Sequence, residues 1–262
     1  MTRLLFFIAL SFMVRQGFGQ NSEIINQSNW QVNIAYGPSI PIGKFKNTDI
    51  EPFFREQNGF TFIDGFYKKD NGFAKVGYQI SANVKKRFTK RLSLNIEFSY
   101  SENELEKEVF DNSLVEKNLA DRVDYMQEPY QVTSIIPSIA YSIYQKGRSD
   151  IALSLGYGWS QMEYPFYRAE LFPEDSGIFF GQVNRLEDVQ SGVFQLGINF
   201  DQRLSKRFDL TVSSTYRSSD FEYDSVVTQI PGGSTINERV DEVNVRAVSL
   251  QLGLSYSFGK RD

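Results

Sequence analysis

Hydrophobic residues recur at every second position in segments of roughly ten residues along most of this chain. The segment 248–258 is the clearest, because its even positions hold Val, Leu, Leu, Leu, Tyr and Phe, whereas its odd positions hold Ser, Gln, Gly, Ser and Ser. A period of two is that of a β-strand whose two faces meet different surroundings. Eight segments show this period, at 30–40, 76–84, 92–100, 135–143, 151–159, 194–200, 208–216 and 248–258.

The connections between these segments alternate strictly between short and long. The short ones lie around 87–90, 146–149 and 205–207, and the long ones around 43–72, 102–130, 163–188 and 218–242. Barrels of the bacterial outer membrane have short periplasmic turns and long extracellular loops. The sequence therefore predicts an all-β fold: an eight-stranded antiparallel up-and-down transmembrane β-barrel with four long extracellular loops.

The N-terminal residues have the features of a secretory signal peptide. Arg3 precedes an almost wholly apolar run from 4 to 14, and small residues at Gly17 and Gly19 suit a signal peptidase. A membrane anchor is the alternative, but the run is about half the ~20 residues that a spanning helix needs. We predict a signal peptide over 1–19 and a barrel domain over 20–262, exported to the bacterial outer membrane.

An eight-stranded barrel can also be soluble and enclose a small ligand, as lipocalins do. The large apolar residues would then point inward, and the other face would meet water. That second face is rich in Gly, Ser and Ala. Such residues suit a narrow lumen better than a solvated surface, so the pattern favours the membrane barrel.

Composition narrows the chemistry. The chain contains no Cys and no His, which removes disulfides, thiolate chemistry and the commonest general base and metal ligand. Its net charge of −4 does not suit a nucleic-acid-binding protein. We therefore expect no cofactor, no metal, no nucleic-acid partner and no enzymatic activity, with a His-independent lipid-modifying enzyme as the remaining enzymatic alternative.

Two short stretches resemble a known family. Tyr36-Gly37-Pro38 with 41–45 at the first segment, and the alternating run 250–258 at the last, are similar to those of the small outer-membrane β-barrel superfamily. That superfamily includes the eight-stranded outer-membrane protein A-type domain, and the PorT-like barrels are a narrower resemblance. The resemblance implies contacts with outer-membrane lipid and lipopolysaccharide, and recognition by the barrel-assembly machinery during biogenesis. The chain departs from many relatives by continuing after the final aromatic residue.

Several charged residues are predicted on the lumen face. They could form a gate or selectivity set in a narrow pore, or a buried ion-pair network that plugs the barrel. Eight strands enclose little free space, which favours the plug. The predicted set is Lys75, Lys85, Arg87, Glu97, Asp201, Arg203, Asp209, Arg217 and Arg246.

The long connections are the other candidate for function. The first and third are rich in aromatic residues, and the second is acidic with a short helix predicted around 109–123. Loops of this length are often functional, although their aromatic residues could equally pack into a cap over the barrel. The resulting hypothesis is a structural, surface-recognition or secretion-accessory role exercised through the loops, with an unidentified envelope or extracellular protein as partner. A narrow small-solute, porin-like channel is the alternative.

Overall fold

The computed structural model describes residues 30–49, 52–57, 60–66, 70–116, 122–163, 167–172, 181–184, 188–230 and 233–258. A 3-10 turn spans Gly43–Phe45 and one helix, α1, spans Lys107–Glu116. The strands are β1 (Trp30–Pro41), β2 (Pro52–Gln57), β3 (Phe60–Phe66), β4 (Gly77–Arg87), β5 (Leu92–Asn103), β6 (Arg122–Gln127), β7 (Tyr130–Lys146), β8 (Ser149–Glu163), β9 (Tyr167–Phe172), β10 (Gly181–Asn184), β11 (Asp188–Arg203), β12 (Phe208–Ile230) and β13 (Gly233–Phe258).

Eight of the described strands pair antiparallel in a closed ring. Their order is β1, β4, β5, β7, β8, β11, β12 and β13, and β13 pairs again with β1. At the closing seam Trp30 lies opposite Phe258 and Ile34 lies opposite Leu254. The predicted eight-stranded up-and-down barrel is confirmed.

The two faces of the strands point as the sequence pattern predicted. On β13, Leu252 is 59% exposed whereas its neighbour Gln251 is 4% exposed. The same alternation holds around the ring, with exposed residues such as Ile34, Tyr157 and Ile198 pointing outward. Burial of Ser, Thr, Asn and Gln inside an apolar exterior is the inverse of a soluble barrel, so the lipocalin-like alternative is wrong.

Three short turns lie at one end of the barrel, together with the start of β1 and the end of β13. The turn between β7 and β8 consists of Gly147 and Arg148, and Gly147 has a φ of 60°, a left-handed conformation that favours glycine. This end is periplasmic, because outer-membrane barrels place their short turns there. Aromatic side chains exposed near this end include Trp30, Phe88, Phe208 and Phe258.

The long connections are more regular than the sequence suggested. β2 and β3 form a hairpin in the first, and β6 of the second pairs with β9 of the third. The region 218–242, predicted as a loop, is instead a continuation of β12 and β13, paired up to Ile230 and Gly233 with a bulge between Asp224 and Val226. β10 adds to the extended part of β12. The predicted helix in the second connection is present as α1, although it ends at Glu116 rather than near 123.

Within the described ranges, no helix combines the length and apolar character that a membrane crossing requires. The predicted signal peptide and most aromatic side chains of the first and third connections lie outside the described residues. Those expectations stay predictions.

Candidate functional site

The middle of the lumen is organised around Arg217 on β12. Its Nη2 contacts Oε1 of Glu97 on β5, while Nη1 donates to Ser99 Oγ at 2.7 Å. Its Nε donates to Oε1 of Gln195 at 2.9 Å, and Gln195 Nε2 donates to Glu97 Oε2 at 3.2 Å. The Arg217 and Glu97 side chains are 12% and 7% exposed. Two charges this far from water need to pair with each other and to form further hydrogen bonds. The contacts among Arg217, Glu97 and Gln195, together with the Ser99 hydrogen bond, provide both.

A second charged layer lies nearer the periplasmic end. Lys85 Nζ on β4 is 3.0 Å from Asp201 Oδ2 on β11, and both side chains are 16% exposed. Thr211 Oγ1 donates to the other carboxylate oxygen of Asp201 at 2.8 Å. Arg87 pairs with Asp150, with 2.5 Å between Nη2 and Oδ2. These pairs join strands on different sides of the ring and thereby hold the lumen together.

Asp209 and Arg203 complete this end of the lumen. Asp209 is 2% exposed and accepts a hydrogen bond from Gln31 Nε2 at 2.9 Å. Arg203 lies opposite Asp209 in the β11–β12 register and lines the same periplasmic cavity. The structure therefore brings seven of the nine predicted charges into the lumen: Lys85, Arg87, Glu97, Asp201, Arg203, Asp209 and Arg217.

The other two predicted residues lie elsewhere. Lys75 precedes β4 and its Nζ is 3.8 Å from Glu106, in the connection after β5, so it is outside the lumen network. Arg246 lies in phase with Val248 and Leu250 on β13, and the register pairs it with Ser218. Strand alternation therefore assigns Arg246 to the outward face, and its predicted lumen position was an error of one residue in phase.

Two polar cavities lie along the lumen. One of about 50 Å³ is lined mainly by Asn, Gln, Ser and Thr side chains together with Lys85, Glu97 and Asp201. The other, of about 140 Å³, lies at the periplasmic end against Arg87, Arg203, Asp150 and Asp201. Both have room for water molecules, since one water needs roughly 10–15 Å³ of such volume. Asp201 borders both cavities, so the two meet at the Lys85–Asp201 pair.

The extracellular end of the lumen contains apolar side chains beside the hydrogen-bonded Ser39 and Asn103. Phe221 on β12 lies opposite Val243 on β13, and Met162 on β8 lies opposite Val132 on β7. Phe221, Val243 and Met162 are completely buried, and Val132 is 8% exposed. Their positions follow the phase of the lumen-facing residues on each strand. These four side chains form an apolar layer in the lumen above Arg217.

The start of the first long connection covers this layer. Phe45 is 1% exposed, and its ring meets that of Tyr130 edge-on at 5.2 Å. The Tyr130 hydroxyl donates to the Gly72 carbonyl at 2.9 Å. A Cβ at Gly72 would lie 2.5 Å from the Phe45 carbonyl oxygen, so the two segments can approach this closely only because Gly72 lacks a side chain. For Phe45, the alternative that loop aromatics form a cap is the one observed.

Within the described part of the chain, no group of three or more acidic residues is placed to hold a metal ion. The buried hydroxyls contact one another, as Thr215 and Ser249 do at 2.5 Å, or contact amides and the charged side chains of the lumen. The chemistry that the lumen supports is ion pairing and hydrogen bonding.

An apolar exterior around a closed barrel, a polar lumen and short turns at one end together define the membrane setting. The chain is an outer-membrane β-barrel. No protein-family description and no curated protein matches the sequence significantly. The narrower PorT-like resemblance therefore stays a prediction.

Solved structures similar to this chain include outer-membrane and surface proteins. The outer-membrane protein OprG from Pseudomonas aeruginosa is 12% identical with a TM-score of 0.47, over 88% of this chain and 96% of that one. Neisserial surface protein A is 11% identical with a TM-score of 0.43, over 88% and 97%. A major outer membrane protein from Thermus thermophilus is 12% identical with a TM-score of 0.45, over 87% and 99%. At such values the likeness carries no argument about function, and the architecture rests on this chain's own register and burial.

Several functional side chains were missed by the sequence analysis. Asp150, the partner of Arg87, lies one residue before the predicted segment but in phase with its lumen face. Gln31 likewise lies in phase with the polar face of the first segment. Extending the alternation by one residue would have found Asp150, whereas Gln31 already lies inside the first segment. Gln195 and Ser99 carry no charge, so only the fold identifies them as partners of Arg217.

Proposed function

We propose that this protein is a non-conducting, non-enzymatic outer-membrane barrel that acts through its extracellular β-structure in surface recognition. On this proposal the barrel is an anchor, and its outward apolar belt contacts phospholipid and lipopolysaccharide. The extended hairpin and the sheets attached to it are the part that meets a partner.

The observation that carries the proposal is the closure of the lumen. Phe221 and Val243 are fully buried above the Glu97–Arg217 pair, and Phe45 packs on Tyr130 above the barrel. An ion crossing this layer would lose its water without gaining polar partners, which costs several kcal/mol or more. A closed lumen argues against transport as the role.

The extracellular strands support recognition. β12 and β13 stay paired from the lumen to Ile230 and Gly233, and β10 pairs with β12 over four residues. The β6–β9 pairing joins the second connection to the third. Regular pairing reduces the entropy that a loop loses on binding, so it is suited to presenting a surface.

Conductance of the refolded protein in a planar bilayer tests the closure. We expect no steady channel from the wild type. The Phe221→Ser/Val243→Ser variant removes the apolar layer, and Phe208→Ser/Phe258→Ser provides a control with aromatic residues on the outer periplasmic rim. Steady wild-type channels whose ion selectivity changes with Glu97→Gln would replace the proposal with the narrow-channel function.

The narrow channel is the second candidate because the two polar cavities meet at Asp201 and reach the periplasmic end. Only the apolar layer separates them from the outside. Under this alternative, Phe45→Ala would raise conductance by removing the cap, whereas the recognition proposal expects no change while Phe221 and Val243 remain.

Recognition is tested with a variant that lacks 222–242 and carries a two-residue Asn-Gly turn in their place, compared with the full chain in intact cells. Envelope crosslinking should capture a partner with the full chain and lose it with the shortened hairpin, while heat-modifiable gel mobility shows that both barrels are folded. Equal crosslinking by both chains would contradict a role for the hairpin. Lipid A of unchanged mass in expressing cells is the expected result for a protein without lipid-modifying activity.

A further inference from the structure

The barrel contains an internal repeat of four strands. Residues 79–100, on β4 and β5, align without gaps with 195–216, on β11 and β12, at a separation of 116 positions. Apolar positions correspond at most places, as Val84 and Phe200 or Leu92 and Phe208 show, with Phe98 and Ser214 as an exception. Identical residues occur at Gln79 and Gln195, Asn83 and Asn199, Arg87 and Arg203, Lys90 and Lys206, Arg91 and Arg207, Leu94 and Leu210, and Tyr100 and Tyr216.

Strand register supports the same correspondence. Arg87 lies opposite Ser93, and the equivalent Arg203 lies opposite Asp209. The next strands agree, because Leu92 pairs with Tyr141 and the equivalent Phe208 pairs with Tyr256. The barrel thus consists of two four-stranded halves. The first contains β1, β4, β5 and β7, and the second contains β8, β11, β12 and β13. The β1–β4 and β8–β11 pairings differ in register by two residues. Because side chains alternate between the two faces of a strand with a period of two, this shift leaves each side chain on the same face of the barrel.

The turns of the two halves have the same structure. In the first, Thr89 Oγ1 accepts hydrogen bonds from the Arg91 and Leu92 amides at 3.2 and 2.9 Å. In the second, Ser205 Oγ accepts from the Arg207 and Phe208 amides at 3.2 and 3.1 Å. The Arg91 carbonyl accepts a hydrogen bond from the Ser142 amide, and the Arg207 carbonyl accepts one from the Ser257 amide, both at 2.8 Å. Each of these serines directly follows a tyrosine on the next strand.

Each turn also holds its arginine against that tyrosine. Arg91 Nη1 donates to the Tyr141 hydroxyl at 3.3 Å, and Arg207 Nη1 donates to the Tyr256 hydroxyl at 3.2 Å. Tyr141 is 43% exposed on the outward face, and Tyr256 packs between Phe208 and Phe258 at 5.3 and 4.9 Å. Among the described residues, no carboxylate forms an ion pair with either guanidinium. The guanidinium groups of Arg91 and Arg207 are therefore held at the lipid-facing periplasmic rim, and each keeps N–H groups that can donate to another partner.

We propose that these two turns are equivalent binding sites for the phosphate group of an anionic phospholipid in the inner leaflet of the outer membrane. An arginine with free N–H groups is suited to a phosphate oxygen, and the adjacent tyrosine sits at the depth of the headgroups. A lysine precedes each arginine and adds positive charge to the same turn. The repetition matters because only seven of the 22 aligned residues are identical, yet the arginine and the lysine are among them and both halves keep the tyrosine contact.

Native mass spectrometry of the barrel, released from detergent mixed with phosphatidylglycerol or with phosphatidylcholine, tests the proposal. We expect up to two phosphatidylglycerol molecules retained per barrel and few phosphatidylcholine molecules. Arg91→Gln and Arg207→Gln should each remove one of the two, and the double variant should lower retention about tenfold per site, since hydrogen bonds to charged groups stabilise by amounts of this order.

The control is Lys146→Gln/Arg148→Gln in the remaining turn, which removes the same charge at the same rim without a tyrosine contact; it should retain both lipids. Tyr141→Phe/Tyr256→Phe should weaken retention without changing charge. Inorganic phosphate at millimolar concentration should not displace the lipid. Equal loss in the control, equal retention of the two lipids, or displacement by free phosphate would overturn the proposal, with heat-modifiable mobility confirming that every variant is folded.

Discussion

Lys85 and Asp201 occupy equivalent positions in the two halves of the barrel and meet across its lumen, with Nζ 3.0 Å from Oδ2. At most other equivalent positions the two halves carry similar residues, but here they carry opposite charges. Divergence at one pair of positions has therefore created a contact that a symmetric barrel could not make, because two lysines or two aspartates would repel each other.

This relationship predicts that the charges can be exchanged. Lys85→Asp or Asp201→Lys alone leaves two like charges in the lumen and should lower the free energy of unfolding by about 3–5 kcal/mol. The double exchange should recover at least about 1 kcal/mol beyond the sum of the single effects, a coupling typical of contacting residues. Urea titration in detergent or lipid measures it, and strict additivity would contradict the pairing.

Removing the partner of Arg217 should be more costly than removing the whole pair. Glu97→Gln leaves a buried guanidinium without its counter-charge and should destabilise the barrel by about 3–5 kcal/mol. Glu97→Gln/Arg217→Gln removes both charges and should restore most of that loss. If the double variant is no more stable than Glu97→Gln in the same titration, the two residues do not act as a pair.

Depth in the bilayer should control the cost of a charge on the outward face. Leu252 lies in the middle of the 248–258 part of β13. An arginine there should cost about 2–4 kcal/mol, whereas near an interface the cost falls to about 0–1 kcal/mol. Phe258 is the matched control, because it shares the face and lies at the periplasmic end of the strand. Folding into lipid vesicles compares Leu252→Arg with Phe258→Arg, and equal losses would be incompatible with a bilayer around this face.

The cap should be separable from the barrel. Phe45→Ala removes the ring that packs edge-on against Tyr130 and should speed limited proteolysis within the first long connection while leaving heat-modifiable mobility unchanged. Phe88→Ala, at an exposed position of the opposite rim, is the control and should have no such effect. A cap that remains equally protected after Phe45→Ala would show that this ring is not what holds it.

The strands and their faces were predictable because alternation is a local property of the sequence. The lumen pairs were not, because Lys85 and Asp201 are 116 positions apart and meet only once the ring closes with its particular register. Lys75 shows the limit of the pattern near a strand end, because it precedes β4 and the extrapolated phase no longer describes its surroundings. Arg246 lies within β13, and the phase itself, correctly counted, places it on the outward face.

The long β12–β13 hairpin was missed for a different reason. Segments were drawn at about the ten residues that a tilted strand needs to cross a bilayer. The membrane does not require the strands to continue beyond that length. The continuation depends instead on pairing between β12 and β13 over 219–245. Polar and apolar residues are mixed there, so the alternation in the sequence is weaker. The bulge between Asp224 and Val226 further breaks the period.

The two-half construction gives the barrel two interchangeable seams. β7 meets β8 through the Gly147-Arg148 turn, and β13 meets β1 with Trp30 opposite Phe258. Cutting the chain at that turn and joining the existing ends with a short linker would therefore exchange the order of the halves while leaving every strand neighbour unchanged. Such a circular permutant should refold to the same barrel, which means that the order of synthesis is not what determines how this ring closes.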